Sequence, residues 1–184
     1  MNNRGFTLIE LLVTMLIGLV VLGALTTFGI SQMKGYGSNW NNVNNVQTTR
    51  TLIQTLMADL RMIGYNTSTE HNTITTATPK SIQIYSDLNQ DNNYTGTDET
   101  ITLTYDPNTF ILTRNNEIIA DTLTNFNLTY YDGNGNDLGA TPTLSLIRKI
   151  KLDITVRTST IDPMTNQYKT IDFTTFVSPR NLSL

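Results

Sequence analysis

Residues 1–29 read MNNRGFTLIELLVTMLIGLVVLGALTTFG, and a single acid, Glu10, stands in a run otherwise suited to lipid. From Leu11 to Met33 there are 23 residues without a charged side chain, where about 20 suffice to carry a helix across the hydrocarbon core of a bilayer. A carboxylate in that environment costs about 2.5–3.5 kcal/mol even on the lenient insertion scales, so Glu10 calls for a partner. A plain membrane anchor, with Arg4 as its cytoplasmic positive flank, explains the hydropathy but not the acid. A secretory signal peptide would end its apolar core at a small-x-small cleavage site. Leu22-Gly23-Ala24 is a poor match, and the apolar run continues through Phe28 and Ile30.

The words that frame the acid decide between these readings. Gly5-Phe6-Thr7-Leu8-Ile9-Glu10, behind a very short basic leader and ahead of an apolar helix, resembles the processing motif of type IV prepilins and type II secretion pseudopilins. The resemblance implies a membrane-embedded prepilin peptidase that cuts between Gly5 and Phe6 and methylates the new amino terminus at Phe6. It also implies a role for Glu10, the fifth residue of the mature chain, as half of an assembly charge pair. Its carboxylate would neutralise the Phe6 amine of a neighbouring subunit, a pairing that offsets a desolvation neither charge tolerates alone. A glycine before the scissile bond suits extended backbone seated in a tight cleft, because it carries no Cβ.

Beyond the membrane stretch, Gly35-Tyr36-Gly37-Ser38 and the Asn cluster from Asn39 to Asn45 are weak helix formers, which predicts a bend or a melted turn. Apolar periodicity then returns at Val43, Val46, Ile53, Leu56, Met57, Leu60 and Ile63, with Gln47, Gln54, Asp59 and Arg61 on the remaining positions. That amphipathic half is expected to lie on a globular head, with Gly64 as its stop; the heptads are few for a coiled coil. The organisation expected is a leader over 1–5, a membrane and filament-core helix over 6–33, an amphipathic half over 34–64, and a β-rich head over 65–184.

From residue 80 the pattern changes to period two. Ile82 and Ile84; Ile101, Leu103 and Tyr105; Phe110 and Leu112; and Phe126, Leu128 and Tyr130 alternate with polar neighbours. Ile150, Leu152, Ile154 and Val156 mark a strand from Lys149 to Thr158. Tyr168 to Val177 is its partner, joined through the turn Asp162-Pro163-Met164-Thr165-Asn166. The fold class expected is therefore α+β: one long N-terminal helix, membrane-spanning in its first half, packed on an antiparallel β-sheet domain. This is the pilin fold that the resemblance to type IV prepilins implies. Further words resemble the minor pilins and pseudopilins called W or J: Asp59-Leu60-Arg61-Met62-Ile63-Gly64-Tyr65, Phe126-Asn127-Leu128-Thr129-Tyr130-Tyr131-Asp132, and the closing Val177-Ser178-Pro179-Arg180-Asn181-Leu182.

Between the Ile84 and Ile101 strands, Asp87, Asn89, Asp91 and Asn93 place oxygens at alternate positions, with Asp98 or Glu99 to close a shell. Calcium takes six to eight oxygens at about 2.3–2.6 Å, so this loop is a candidate calcium site. Asn92 stands where a calcium loop prefers Gly, and strands flank it, so an Asn and Asp hairpin loop is the plainer reading. Asp132-Gly133-Asn134-Gly135-Asn136-Asp137 has a similar composition, but its glycine spacing suits a tight turn.

Composition removes several classes. A net charge of −3 and a pI near 5.0 argue against a phosphate-binding surface, so no nucleic-acid partner is inferred. Absence of cysteine excludes disulfides and thiolate metal sites, and the one histidine, His71 in a Thr and Asn loop, excludes a multi-histidine site. No Gly-x-Ser-x-Gly, P-loop or Gly-x-Gly-x-x-Gly word occurs, and no enzymatic role is expected. A chain with 33 Thr and 21 Asn suits a β-rich polar surface outside the cytoplasm.

The function expected is a minor pilin or pseudopilin subunit that helps initiate or cap a type IV pilus or a type II secretion pseudopilus. Its partners would be prepilin peptidase, other major and minor pilins, an inner-membrane assembly platform and, before assembly, membrane lipid. It would sit in the bacterial inner membrane as a single-pass protein with its head outside, then near the filament tip. The alternative is a singly anchored surface binding or adhesion protein.

Overall fold

The computed structural model describes residues 7–67, 73–94, 96, 98–179 and 181–182, in which one long helix is followed by two antiparallel sheets. Helix α1 (Leu8–Arg61) runs 54 residues without a break, on the order of 81 Å at ~1.5 Å per residue. Of the bend or melted turn expected at Gly35 to Asn45, the melted turn does not form, since the helix is continuous there. The reason is tertiary: that stretch is where the head grips the helix. Pro163 lies 3.5 Å from the place a Cβ would occupy on Gly37, and the Ser38 side chain is buried against Asp162. Packing of this kind outweighs a propensity deficit of about 1 kcal/mol per glycine.

The buried face of α1 also differs from the expected one. Ile53, Leu56, Leu60 and Ile63 face the core as the periodicity predicts, joined by Leu52, which it does not include; Val43 is half exposed, and the buried positions around it are Ser38, Asn45 and Thr49. Asp59, expected on the outer face, is buried and paired with Arg114. The helix ends at Arg61, with Met62 as its cap and Gly64 at φ +71°. A side chain at Gly64 would be strained by that dihedral and would also come within 3.1 Å of the Asn181 carbonyl oxygen.

The single sheet expected divides into two meanders. Strands β1 (Ile74–Ala77), β2 (Ser81–Tyr85), β3 (Thr100–Asp106), β4 (Ile111–Arg114) and β5 (Glu117–Ala120) pair in sequence order. Strands β6 (Leu123–Tyr131), β7 (Lys149–Arg157) and β8 (Thr170–Val177) form the second meander. The alternation read from sequence gives the right faces, because Ile150, Leu152, Ile154 and Val156 are all buried, as are Phe126, Leu128 and Tyr130. The β4–β5 hairpin turns on Asn115 and Asn116, both at positive φ, the conformation that tight two-residue hairpins require.

The sheets are stitched where β6 passes the β1–β2 turn. Leu128 N–H donates to the Pro79 carbonyl at 2.9 Å, the Tyr130 hydroxyl donates to the Thr78 carbonyl at 2.8 Å, and Lys80 Nζ donates to the Phe126 carbonyl. The Tyr105 hydroxyl donates to the Leu123 carbonyl, and its ring lies 5.8 Å from that of Phe126. Aromatic bodies fill the seam while their hydroxyls satisfy buried carbonyls. One hydrophobic core then runs from Leu52 on the helix through both sheets.

Candidate functional site

The helix begins with a reciprocal cap. Thr7, in extended conformation, accepts from Glu10 N–H through Oγ1 at 3.3 Å, while Glu10 Oε2 accepts from Thr7 N–H at 2.9 Å and from the Thr7 hydroxyl at 2.8 Å. A capping box satisfies donors that a helix start leaves orphaned and puts negative charge at the positive end of the helix dipole. Both bonds from Thr7 use one carboxylate oxygen, and among the described residues Oε1 has no partner. Gly5 and Phe6 lie outside the described residues.

What surrounds Glu10 is apolar and uncovered. Leu8, Leu16, Leu19 and Phe28 are 79, 66, 70 and 63 % exposed, and the large side chains on every face of this half are similar. Patches of this extent are not left in water by a soluble domain. Among the described residues, this is the helix that is long and apolar enough to cross a membrane.

Two ionic clusters fix the second half of α1 to the head. Asp162, buried in the β7–β8 turn, accepts from Ser38 Oγ at 2.6 Å and pairs with Lys169 Nζ at 2.6 Å; Lys169 also donates to Ser38. Lys169 and Ser38 together hold the Asp162 carboxyl far below the usual carboxylate range. Asp162 further accepts from the Met164 and Thr165 N–H groups, so one side chain both closes the turn and latches it to the helix. In the second cluster Arg114 Nε donates to Asp59 at 2.9 Å and Nη1 lies 3.5 Å from Asp98. The bond to Asp59 pushes the guanidinium pKa up.

The expected calcium loop is brought partly together. Asp87, Asp91 and Glu99 offer oxygens all within 4.8 Å of one another, and Asp87 and Glu99 are buried. Each carboxylate also serves the loop itself. Asp87 accepts from Gln90 and Asn92 N–H, Glu99 from Leu88, Asn89 and Gly96 N–H, and Asp91 from Asn93 N–H. Asn89 exchanges hydrogen bonds with Asp91, and Asp98 is turned toward Arg114. His71 lies outside the described residues.

The Ser38–Asp162–Lys169 latch was not foreseen from sequence. Its members are 124 residues apart, and the only local signal was an Asp opening a Pro-containing turn.

Residues 1–26 match the prokaryotic N-terminal methylation motif. No curated protein and no solved structure matches the chain. A methylation motif at the start of one exposed apolar helix, followed by antiparallel sheets, supports a likeness to type IV prepilins. The apolar helix fits anchoring in a membrane.

Proposed function

We propose that the chain is a minor pilin or minor pseudopilin subunit. In this reading prepilin peptidase cuts between Gly5 and Phe6 and methylates Phe6, and the product helps to initiate or cap a type IV pilus or type II secretion pseudopilus near its tip. Before assembly it rests as a single-pass protein in the bacterial inner membrane with its head outside. Other pilins and an assembly platform take it from there.

The observation that carries the proposal is Glu10: one carboxylate, capped on one oxygen and open on the other, at the start of a helix whose apolar surface the head does not cover. A methylated Phe6 amine from a neighbour supplies the missing counter-charge as the apolar helices pack. Replacement of Glu10 by Ala tests this. Insertion and leader cleavage are expected to proceed, because removing a charge eases entry into lipid and the scissile bond lies elsewhere. Incorporation into filaments or the initiating complex is expected to fall to background. Normal incorporation of Glu10→Ala would overturn the charge-pair account.

A second reading concerns the head. Two buried carboxylates and a third within 4.8 Å, none of them ion-paired to a described Lys or Arg, favour a calcium ion held by Asp87, Asp91 and Glu99 with Asn89 beside them. The ion would order the loop by replacing mutual repulsion with shared coordination.

A further inference from the structure

Where the head meets the helix, large apolar side chains stay on the outside. Tyr36 and Trp40 on α1 are exposed, Trp40 by 68 %, and so are Ile161 and Met164 in the β7–β8 turn, Met164 by 62 %. All four lie outside the uncharged run that ends at Met33, so the need of a helix to cross a bilayer does not account for them. The turn reaches toward the membrane half of the helix. Thr158 and Ser159, just past β7, lie beside Asn41, Asn44, Asn45 and Thr48. A few residues on, Asp162 is bonded to Ser38, and Pro163 lies 3.5 Å from the place a Cβ would occupy on Gly37. The chain thus descends from the level of Asn45 to that of Gly37, on the order of 12 Å along the helix at ~1.5 Å per residue.

Gly37 stands only ~6 Å past Met33, and the headgroup zone outside each face of a ~30 Å hydrocarbon core is about 5–7 Å deep. The tip of the turn is therefore level with lipid headgroups when the uncharged run spans the core. Its chemistry suits that level. Over residues 158–169 the charged side chains are Asp162 and Lys169, which pair at 2.6 Å, and the Asp162 side chain is only 1 % exposed. A loop that turns its one acid inward and an isoleucine, a proline and a methionine outward reverses the pattern of a loop bathed in water. Tyr36 and Trp40 belong to the residue types that collect at headgroup level, where an apolar ring is covered and its polar edge stays wet. Lys34, exposed between them and the apolar run, can extend its ammonium to lipid phosphates.

We propose that the head docks on the lipid surface through the β7–β8 turn, with Ile161, Pro163 and Met164 seated among the headgroups beside Tyr36 and Trp40. This rests on the reading that α1 crosses a bilayer with the head outside, and adds a second point of contact with the same membrane. The occupant is lipid because the patch is continuous with the membrane-spanning half and lies at the height where that half leaves the core. The latch of Asp162 on Ser38 holds the turn against the helix, so that helix and turn enter the interface as one unit.

The chain has no cysteine, so single substitutions give unique labelling sites. The test places an environment-sensitive nitrobenzoxadiazole dye on Met164→Cys, on Leu19→Cys in the membrane half, or on Asn134→Cys in the turn after β6, at the end of the sheet away from Arg157. Each full chain is reconstituted sparsely in phosphatidylcholine and phosphatidylglycerol vesicles carrying nitroxide lipids, with the quencher either near the headgroup or deep in the acyl chain. The dye at 164 is expected to be quenched at least threefold more than the dye at 134, and more by the shallow quencher than by the deep one, while the dye at 19 responds to the deep one. Adding Ile161→Asp to the Met164→Cys chain is expected to lower quenching at least twofold with the fold retained by circular dichroism. Quenching at 19 with none at 164 would overturn the docking and leave the membrane-spanning reading standing; no quenching at 19 would overturn both. Equal quenching at 164 and 134, or an undiminished response with Ile161→Asp, would also overturn the docking. A blue shift at 164 that appears only in crowded vesicles and without quenching would assign the turn to a neighbouring subunit instead.

Discussion

Leu16 and Leu56 belong to one unbroken helix, yet Leu16 is 66 % exposed and Leu56 is fully buried. From Leu8 to Met33 the helix exposes large apolar side chains on every face; beyond Gly37 one face is consumed by the core and the other is mostly polar, with Trp40 and Val43 exposed on it. The same secondary structure is thus written in two codes. The first half takes its stability from a medium or from neighbours outside the chain, the second from the head. A helix built in this way can change partners at one end while the other stays fixed, as the proposed passage from membrane to filament requires.

Matched truncations break the comparison most sharply. Leu56→Ala is expected to destabilise the head by about 2–5 kcal/mol, the range for fully buried leucines, whereas Leu16→Ala leaves the thermal midpoint in detergent unchanged. Thermal unfolding of both variants in the same detergent checks this, and equal losses would remove the distinction between the halves.

The latch at Ser38 gives the junction a pH dependence. Asp162 is depressed in the folded state by Lys169 and Ser38. Its contribution is therefore complete above the unfolded carboxyl value of about 3.9 and is lost as pH falls below that toward the lower folded value. Midpoints measured from pH 6 down to pH 3 are expected to drop. Asp106 and Asp132 are depressed in the same direction by their own turn hydrogen bonds, so the informative comparison is with Asp162→Asn. That variant starts less stable at pH 6 and falls less on acidification; parallel curves would remove Asp162 from the account.

Calcium sharpens the comparison from the head side alone. Under the calcium reading the midpoint is higher in millimolar calcium than in chelator, by linkage, and Glu99→Gln erases the difference. Identical midpoints would leave the Asp87 to Glu99 loop a hairpin knit by its own side chains. The smallest effect is expected at the boundary between the codes. Gly37→Ala should stabilise by about 0.8–1 kcal/mol through helix propensity, because the added Cβ meets Pro163 at an ordinary 3.5 Å. A loss of stability there would mean that the head needs the bare backbone.

The membrane half and the strand faces were legible because both depend on short-range rules: an uncharged run of sufficient length, and alternation with period two. Glu10 stands out in the sequence for the opposite reason, as the residue that violates its surroundings, and the structure places it in a capping box with Thr7. Long-range pairing was not legible. Asp59 has the polarity of a surface residue, and nothing near it in sequence names Arg114. Gly35-Tyr36-Gly37-Ser38 reads as a break until the β7–β8 turn is laid against it. The division into two sheets hangs on β6 pairing with β7 rather than with β5, a choice that no single strand records.

Under the proposed function the N-terminal segment is a peptidase substrate before it is part of a helix. Intact mass and N-terminal sequencing of the chain extracted from membranes test it directly. The account predicts a chain that begins at Phe6 with one methyl group on its amine and has lost Met1 to Gly5. A chain that still begins at Met1, with Phe6 unmodified, would contradict it and leave a membrane-anchored surface protein in its place.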